Sequence, residues 1–118
     1  MAKRILSISY DESLLLTRRF LLEQAGFEVL SALGFVEAIE RCDAGNQLDL
    51  IILGHSIAPK DKTRIMAHIK EHCAAPVLAL LWPHQEPVPG AHTSIEATAP
   101  DTFLEIVRKI LEAGYLNG

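Results

Sequence analysis

The sequence is poor in the features that mark several functional classes. It holds only two cysteines in 118 residues, Cys42 and Cys73, far apart in the chain and inside predicted helices. That excludes a disulfide framework, and each reads as a free thiol in a reducing compartment. No apolar run approaches the ~20 residues of a membrane span. Ile5-Leu6, between Met1-Ala2-Lys3-Arg4 and polar Ser7, is too short for a signal-peptide core. Cytoplasm is the expected location, with no membrane partner. Positive charge is also in deficit: 11 Lys and Arg stand against 15 Asp and Glu, a net charge of -4. With no basic footprint, nucleic acid is not an expected partner.

Catalytic motifs are missing too. Ser9-Tyr10-Asp11-Glu12-Ser13, after the first predicted strand, contains no glycine, and its carboxylates would repel a phosphate. Flavin and nucleotide binding are therefore disfavoured. Ser9 and Ser56 have no Gly-x-Ser-x-Gly elbow around them. His68 and His72 share a helix face at a spacing that permits metal binding, but the Glu-bearing H-E-x-x-H pattern is absent. A solvated helix face is the plainer reading of that pair. No enzyme is expected.

What is present is a core and a pattern. Hydrophobic residues make up 49% of the chain and charged ones 22%, as in an ordinary globular domain, and one domain over 1–118 is expected. Its centre is Leu48-Asp49-Leu50-Ile51-Ile52-Leu53, an almost wholly apolar run that ends abruptly at Gly54-His55. Such a run suits a strand buried on both faces of a parallel sheet. Chemistry in open α/β sheets gathers at the carboxyl ends of strands, so the Gly54-His55 corner is the place to look.

The rest of the chain supplies the partners of that strand. Arg4 to Ser9 reads as a strand, and Asp11-Glu12-Ser13 opens a helix that Gly26 stops. Phe27 to Ser31 alternates as a strand near the sheet edge. Leu33 to Ala44 is a helix with Phe35, Val36, Ile39 and Cys42 on one side, stopped by Gly45-Asn46. Pro59 can start a helix over Ala58 to Cys73, with Ile65, Met66, Ile69 and Cys73 at helical spacing. Pro76 to Trp82 is a buried strand. Pro83, Pro87 and Pro89 then forbid regular helix before Gly90. Thr93 to Ala97 is a weak strand, and Asp101-Thr102 caps a last helix through Phe103, Val107, Ile110 and Leu111 to Gly114. Strands alternating with helices predict an α/β fold with a parallel sheet covered on both faces.

Several stretches, in this order, resemble one family: Arg4-Ile5-Leu6, Leu22-Glu23-Gln24-Ala25-Gly26-Phe27-Glu28-Val29, Glu37-Ala38-Ile39, Asp49-Leu50-Ile51-Ile52-Leu53, Ala75-Pro76-Val77-Leu78 and Gly90-Ala91. Over nearly its whole length the chain is similar to the receiver domain of response regulators in bacterial two-component systems. The resemblance implies a flavodoxin-like, doubly wound five-stranded sheet of order 2-1-3-4-5. It also implies phosphoryl transfer from a histidine kinase to an aspartate ending the third strand. In that family an acidic pair after the first strand helps hold Mg²⁺, and a Ser/Thr and a Lys end the fourth and fifth strands.

Matched position by position, the acceptor falls on Gly54, the acidic pair on Ser9 and Tyr10, the hydroxyl on Leu81 and the lysine on Ala97. Asp11 stands one place beyond the pair, and a lone carboxylate is a poor Mg²⁺ site. The Mg²⁺ site of the family is not retained, and no other cofactor is implied. The expectation is a stand-alone pseudo-receiver, a phosphorelay relative that acts through protein contacts. With a Pro-rich loop replacing the fourth helix, Trp82, Val88, Leu104 and Leu111 are expected to form an exposed apolar patch. That patch favours an unidentified protein partner or a homodimer. The alternative is a small-ligand or metal-binding module at the ends of the first, third and fourth strands, using Asp11, His55 and His84. Against it stands the bland reading of His55 as a polar residue that finishes a strand.

Overall fold

The computed structural model describes residues 2–45, 47–96 and 99–114. Its elements are β1 Arg4–Ser9, α1 Glu12–Gln24, β2 Glu28–Leu33, α2 Gly34–Asp43, β3 Leu50–Leu53, α3 Pro59–His72, β4 Val77–Leu81, β5 Thr93–Glu96 and α4 Pro100–Gly114. The strands form one parallel sheet in the order β2-β1-β3-β4-β5, which is the order expected. β2 lies at an edge, and β3 lies at the centre.

Alternation along β3 divides the core. Ile51 and Leu53 point into a layer with Ala38 and Cys42 of α2 and Ile65, Met66 and Ile69 of α3. Leu50 and Ile52 point the other way, onto Leu22 of α1 and Phe103, Val107, Ile110 and Leu111 of α4. All four β3 side chains are fully buried, each contributing about 1.5–3 kcal/mol of transfer free energy. This is why the strand reads as a continuous apolar run instead of an alternating one. The register pairs Ile8 with Leu53, so the next residue of each strand, Ser9 and Gly54, meets at the carboxyl edge.

The helix boundaries have local causes. Asp11 caps α1, its Oδ1 accepting from Leu14 N–H at 3.1 Å. Gly26, at φ +95°, lets the chain reverse so that Phe27 N–H reaches Leu22 O at 3.0 Å. α2 begins one residue later than expected, and Glu37 reaches back to accept the N–H of Leu33 at 2.9 Å. Its buried stripe also differs from the expected one. Ala38 and Cys42 are buried, Phe35 lies half-buried under the Arg64 guanidinium, and Val36 is exposed. α4 starts at Pro100, so Asp101 and Thr102 lie inside its first turn and do not cap it.

The segment from Trp82 to His92 contains no helix. Two bonds hold its start, Gln85 N–H to Trp82 O at 3.1 Å and Trp82 N–H to Gln85 Oε1 at 2.9 Å. The apolar patch expected around it is not formed. Val88 is buried in the α2–α3 layer and Leu111 in the α1–α4 layer, on opposite sides of the sheet. Leu104 is half-buried against the second layer, which leaves Trp82 alone exposed. Both cysteines are free thiols. Among the described residues, no helix is long and apolar enough to cross a membrane.

Candidate functional site

The corner at the carboxyl edge of β1 and β3 is built around a residue that sequence reasoning passed over. Arg18 lies on the stripe of α1 that buries Leu15 and Leu22. Spacings of three and four residues turn it inward with them. Its guanidinium crosses the sheet edge above Gly54. A Cβ placed on Gly54 would stand 2.9 Å from Arg18 Nη1 and 2.8 Å from the backbone oxygen of Ile8. The space into which an acceptor side chain would grow is therefore filled by an arginine and a strand carbonyl. Arg18 is only 7% exposed, and among the described residues Nη1 has no hydrogen-bond partner.

Arg18 Nη2 donates to His55 Nδ1 at 2.9 Å. A guanidinium has no acceptor, so Nδ1 presents its lone pair and the ring is neutral, with its proton on Nε2. Burial, then the charges of Arg18 and Lys62, hold His55 below the usual histidine range, against a smaller pull from Asp11. The imidazole meets Trp82 edge to face, centroids 4.3 Å apart. Burial also lowers Arg18 and Lys62 from their ordinary values.

Lys62, which its sequence context with Asp61 reads as surface charge, is buried instead. It lies on the α3 stripe with Ile65, Met66 and Ile69 and is 2% exposed. Its Nζ donates to Leu80 O at 3.0 Å and to Gln85 Oε1 at 3.4 Å, tying the end of β4 to the Pro-rich loop. In both helices the signal was available: a basic residue placed in phase with the apolar stripe.

The oxygens of the corner are engaged with one another. The Ser9 and Ser56 hydroxyls lie 3.0 Å apart. Ser9 Oγ also donates to Asp11 O and accepts Asp11 N–H, each at 3.0 Å. Ser56 Oγ accepts Tyr10 N–H at 3.0 Å. Tyr10 Oη donates to Asp61 Oδ2 at 2.8 Å. Burial, reinforced by that bond and the Asp61 charge, pushes the phenol up to about 12. Asp11 is engaged as the α1 cap.

Of the residues singled out from sequence, the structure brings together Ser9, Tyr10, Asp11, Gly54 and His55. It does not add His84, which is exposed on the turn after β4 at φ +71°. Asp11, His55 and His84 form no three-ligand cluster among the described residues. Leu81 is buried in the α2–α3 layer, and Ala97 lies outside the described residues. Beside the corner, a cavity of about 180 Å³ is lined by Leu14, Arg18, His55, Leu80 and Phe103.

Neither protein-family models nor curated proteins match the chain. Solved structures do. The N-terminal domain of a response regulator/sensory box/GGDEF 3-domain protein from Carboxydothermus hydrogenoformans superposes with a TM-score of 0.85 at 21% identity, over 98% of each chain. A two-component response regulator from Clostridium difficile gives 0.81 at 20% identity, over 93% of this chain and 96% of that one. A CheY-like response regulator receiver domain protein from Methanospirillum hungatei JF-1 gives 0.81 at 17% identity over the whole of both. These likenesses establish the fold as that of response regulator receiver domains.

Proposed function

We propose that this chain is a pseudo-receiver: a signalling module with the receiver scaffold that works through protein contacts and is not switched by aspartyl phosphorylation. The observation that carries the reading is the Arg18 guanidinium lying over Gly54, where a phosphoacceptor side chain would project. Three supports follow from the same corner. Gly54 offers no nucleophile. Mg²⁺ does not fit, because the carboxylate beside the site, Asp11, caps a helix and two buried cations, Arg18 and Lys62, face His55. Finally, Leu81 and the loop after it lack the hydroxyl and the helix through which the family reads a phosphoryl group. The module is then no enzyme and needs no cofactor.

Protein contact is supported by surface instead of site. Leu16 and Phe20, one turn apart on α1, are 60% and 61% exposed, with Trp82 at 53%. Sequence reasoning did not single out the first two, although both fall off the buried stripe of α1. The partner is a protein of the same cytoplasmic signalling setting, or a second copy of the chain, which sedimentation velocity distinguishes.

The test of the central claim is direct. The chain is incubated with a small phosphodonor and Mg²⁺, and its intact mass is read. No adduct is expected for the native chain or for Gly54→Asp, since the substituted carboxylate would still face Arg18 and lack a metal. A stoichiometric one-phosphate adduct on the native chain would overturn the reading. An adduct on Gly54→Asp alone would show that Arg18 does not block the acceptor position.

A further inference from the structure

A second set of ligand-bearing side chains lies far along the elements from Gly54. α2 ends at Asp43, and α3 carries His68 and His72 near its own end. Both helices finish where the chain turns back to start β3 and β4, at the opposite edge of the sheet from the Arg18 corner. His68 Nε2 donates to Asp43 Oδ1 at 2.7 Å. The His68 and His72 rings lie 4.2 Å apart between centroids, tilted by 32°. One ring nitrogen from each histidine and one Asp43 oxygen fall within 4.8 Å of one another.

We propose that Asp43, His68 and His72 form a binding site for a late first-row divalent transition-metal ion, with Zn²⁺ as its simplest representative. The spacing of four residues projects both imidazoles from one helix face. The carboxylate comes from a different helix, so the set is three-dimensional and not a property of one segment. Two imidazoles and one carboxylate suit Zn²⁺, Ni²⁺ or Cu²⁺ and suit Mg²⁺ or Ca²⁺ poorly. An ion about 2.1 Å from each of three atoms holds them about 3.4 Å apart in a tetrahedral site. The His68–Asp43 pair, at 2.7 Å, has to open slightly, and no pair of the three atoms starts more than 4.8 Å apart. Asp43 and His72 are exposed and His68 half-buried, which leaves an entry path and a position for water. A competing contact, His72 Nε2 to Glu71 Oε2 at 3.8 Å, is loose. Bound metal would clamp α2 to α3.

The experiment is a Zn²⁺ titration of the full chain by calorimetry in a non-chelating buffer, with Co²⁺ absorption as the spectroscopic arm. One equivalent is expected to bind. His68→Gln and His72→Gln should each weaken it at least about tenfold, Asp43→Asn should weaken it less, and His84→Gln should leave it unchanged. Zn²⁺ should raise the thermal midpoint of the native chain and raise that of His68→Gln less at the same metal concentration. Absence of saturable binding overturns the proposal, as does binding that survives the double variant His68→Gln/His72→Gln. An intense thiolate-to-cobalt band would overturn it too, by assigning the ion to Cys73. Should His68→Gln alter the circular dichroism, the more exposed His72→Gln decides the matter.

Discussion

His55 and His68 are the same side chain in opposite circumstances. His55 stands at the carboxyl edge of the sheet, 7% exposed, with Nδ1 taken by Arg18 and its ring edge-on to Trp82. His68 stands near the other edge, half-buried, beside a second imidazole and a carboxylate at the surface. Topology favours the first location for chemistry. Yet its lone pairs are engaged within the protein, and its charges are buried cations that repel a metal ion. At the second location Asp43 accepts one bond from His68, and His72 has only a loose contact with Glu71. What separates the two is whether the ligand atoms already have fixed internal partners, not where the fold puts its usual site.

If the corner is a closed, occupied structure, adding atoms to it must cost stability. Gly54→Ala places a methyl 2.8 Å from Ile8 O and 2.9 Å from Arg18 Nη1. The strand carbonyl cannot yield easily, because it accepts Gly54 N–H at 2.8 Å. A loss of about 2–3 kcal/mol is expected by urea unfolding. Gly54→Ala/Arg18→Met should recover part of it, since one of the two contacts is gone. A neutral Gly54→Ala would break the comparison, because the corner would then be open space.

The next effect concerns His55 itself. His55→Gln should cost about 1–2 kcal/mol by removing the acceptor geometry of Arg18 Nη2 and the ring against Trp82. The native histidine also predicts a pH dependence. Its folded pKa lies below the ordinary value, so on acidification the unfolded chain takes up the proton first. The stability it confers is complete above the ordinary histidine range and is lost as pH falls through that range toward the folded value. In Arg18→Met the ring titration followed by NMR should move upward but not fully back, because burial is the larger cause.

Much of this was legible from the chain. The strand and helix order followed from one continuous apolar run, several amphipathic stripes and well-placed glycines and prolines. The missing fourth helix followed from Pro83, Pro87 and Pro89. Arg18 and Lys62 were not foreseen, because charged residues are read as solvated unless their phase with the apolar stripe is checked. The patch of Trp82, Val88, Leu104 and Leu111 failed because apolarity does not reveal which face of the sheet a side chain covers. Val88 and Leu111 lie on opposite faces. The Asp43–His68 contact spans 25 positions between two helices, and no local pattern encodes it.

A smaller effect probes the oxygen network of the corner. Tyr10→Phe removes the donor to Asp61 and should cost about 1 kcal/mol. It should also abolish the late-titrating phenol in ultraviolet absorbance. The sign is opposite to that of His55. The folded pKa is raised to about 12, so the contribution of Tyr10 is whole below the ordinary phenol value and is lost as pH rises through the folded one.

The smallest expected effect sharpens the comparison most. His68→Gln, made without metal, should change stability within about 0.5 kcal/mol. The ring is partly solvated, its hydrogen bond goes to an exposed carboxylate, and such pairs contribute little. The same substitution at His55 is costly because a buried guanidinium loses its partner. A ligand site that can open to admit an ion must be one whose internal bonds are weak, since binding has to break them first. Parity of the two substitutions by chemical denaturation would show that the α2–α3 cluster is built into the fold as firmly as the Arg18 corner. The contrast between the two edges of the sheet would then be one of position alone.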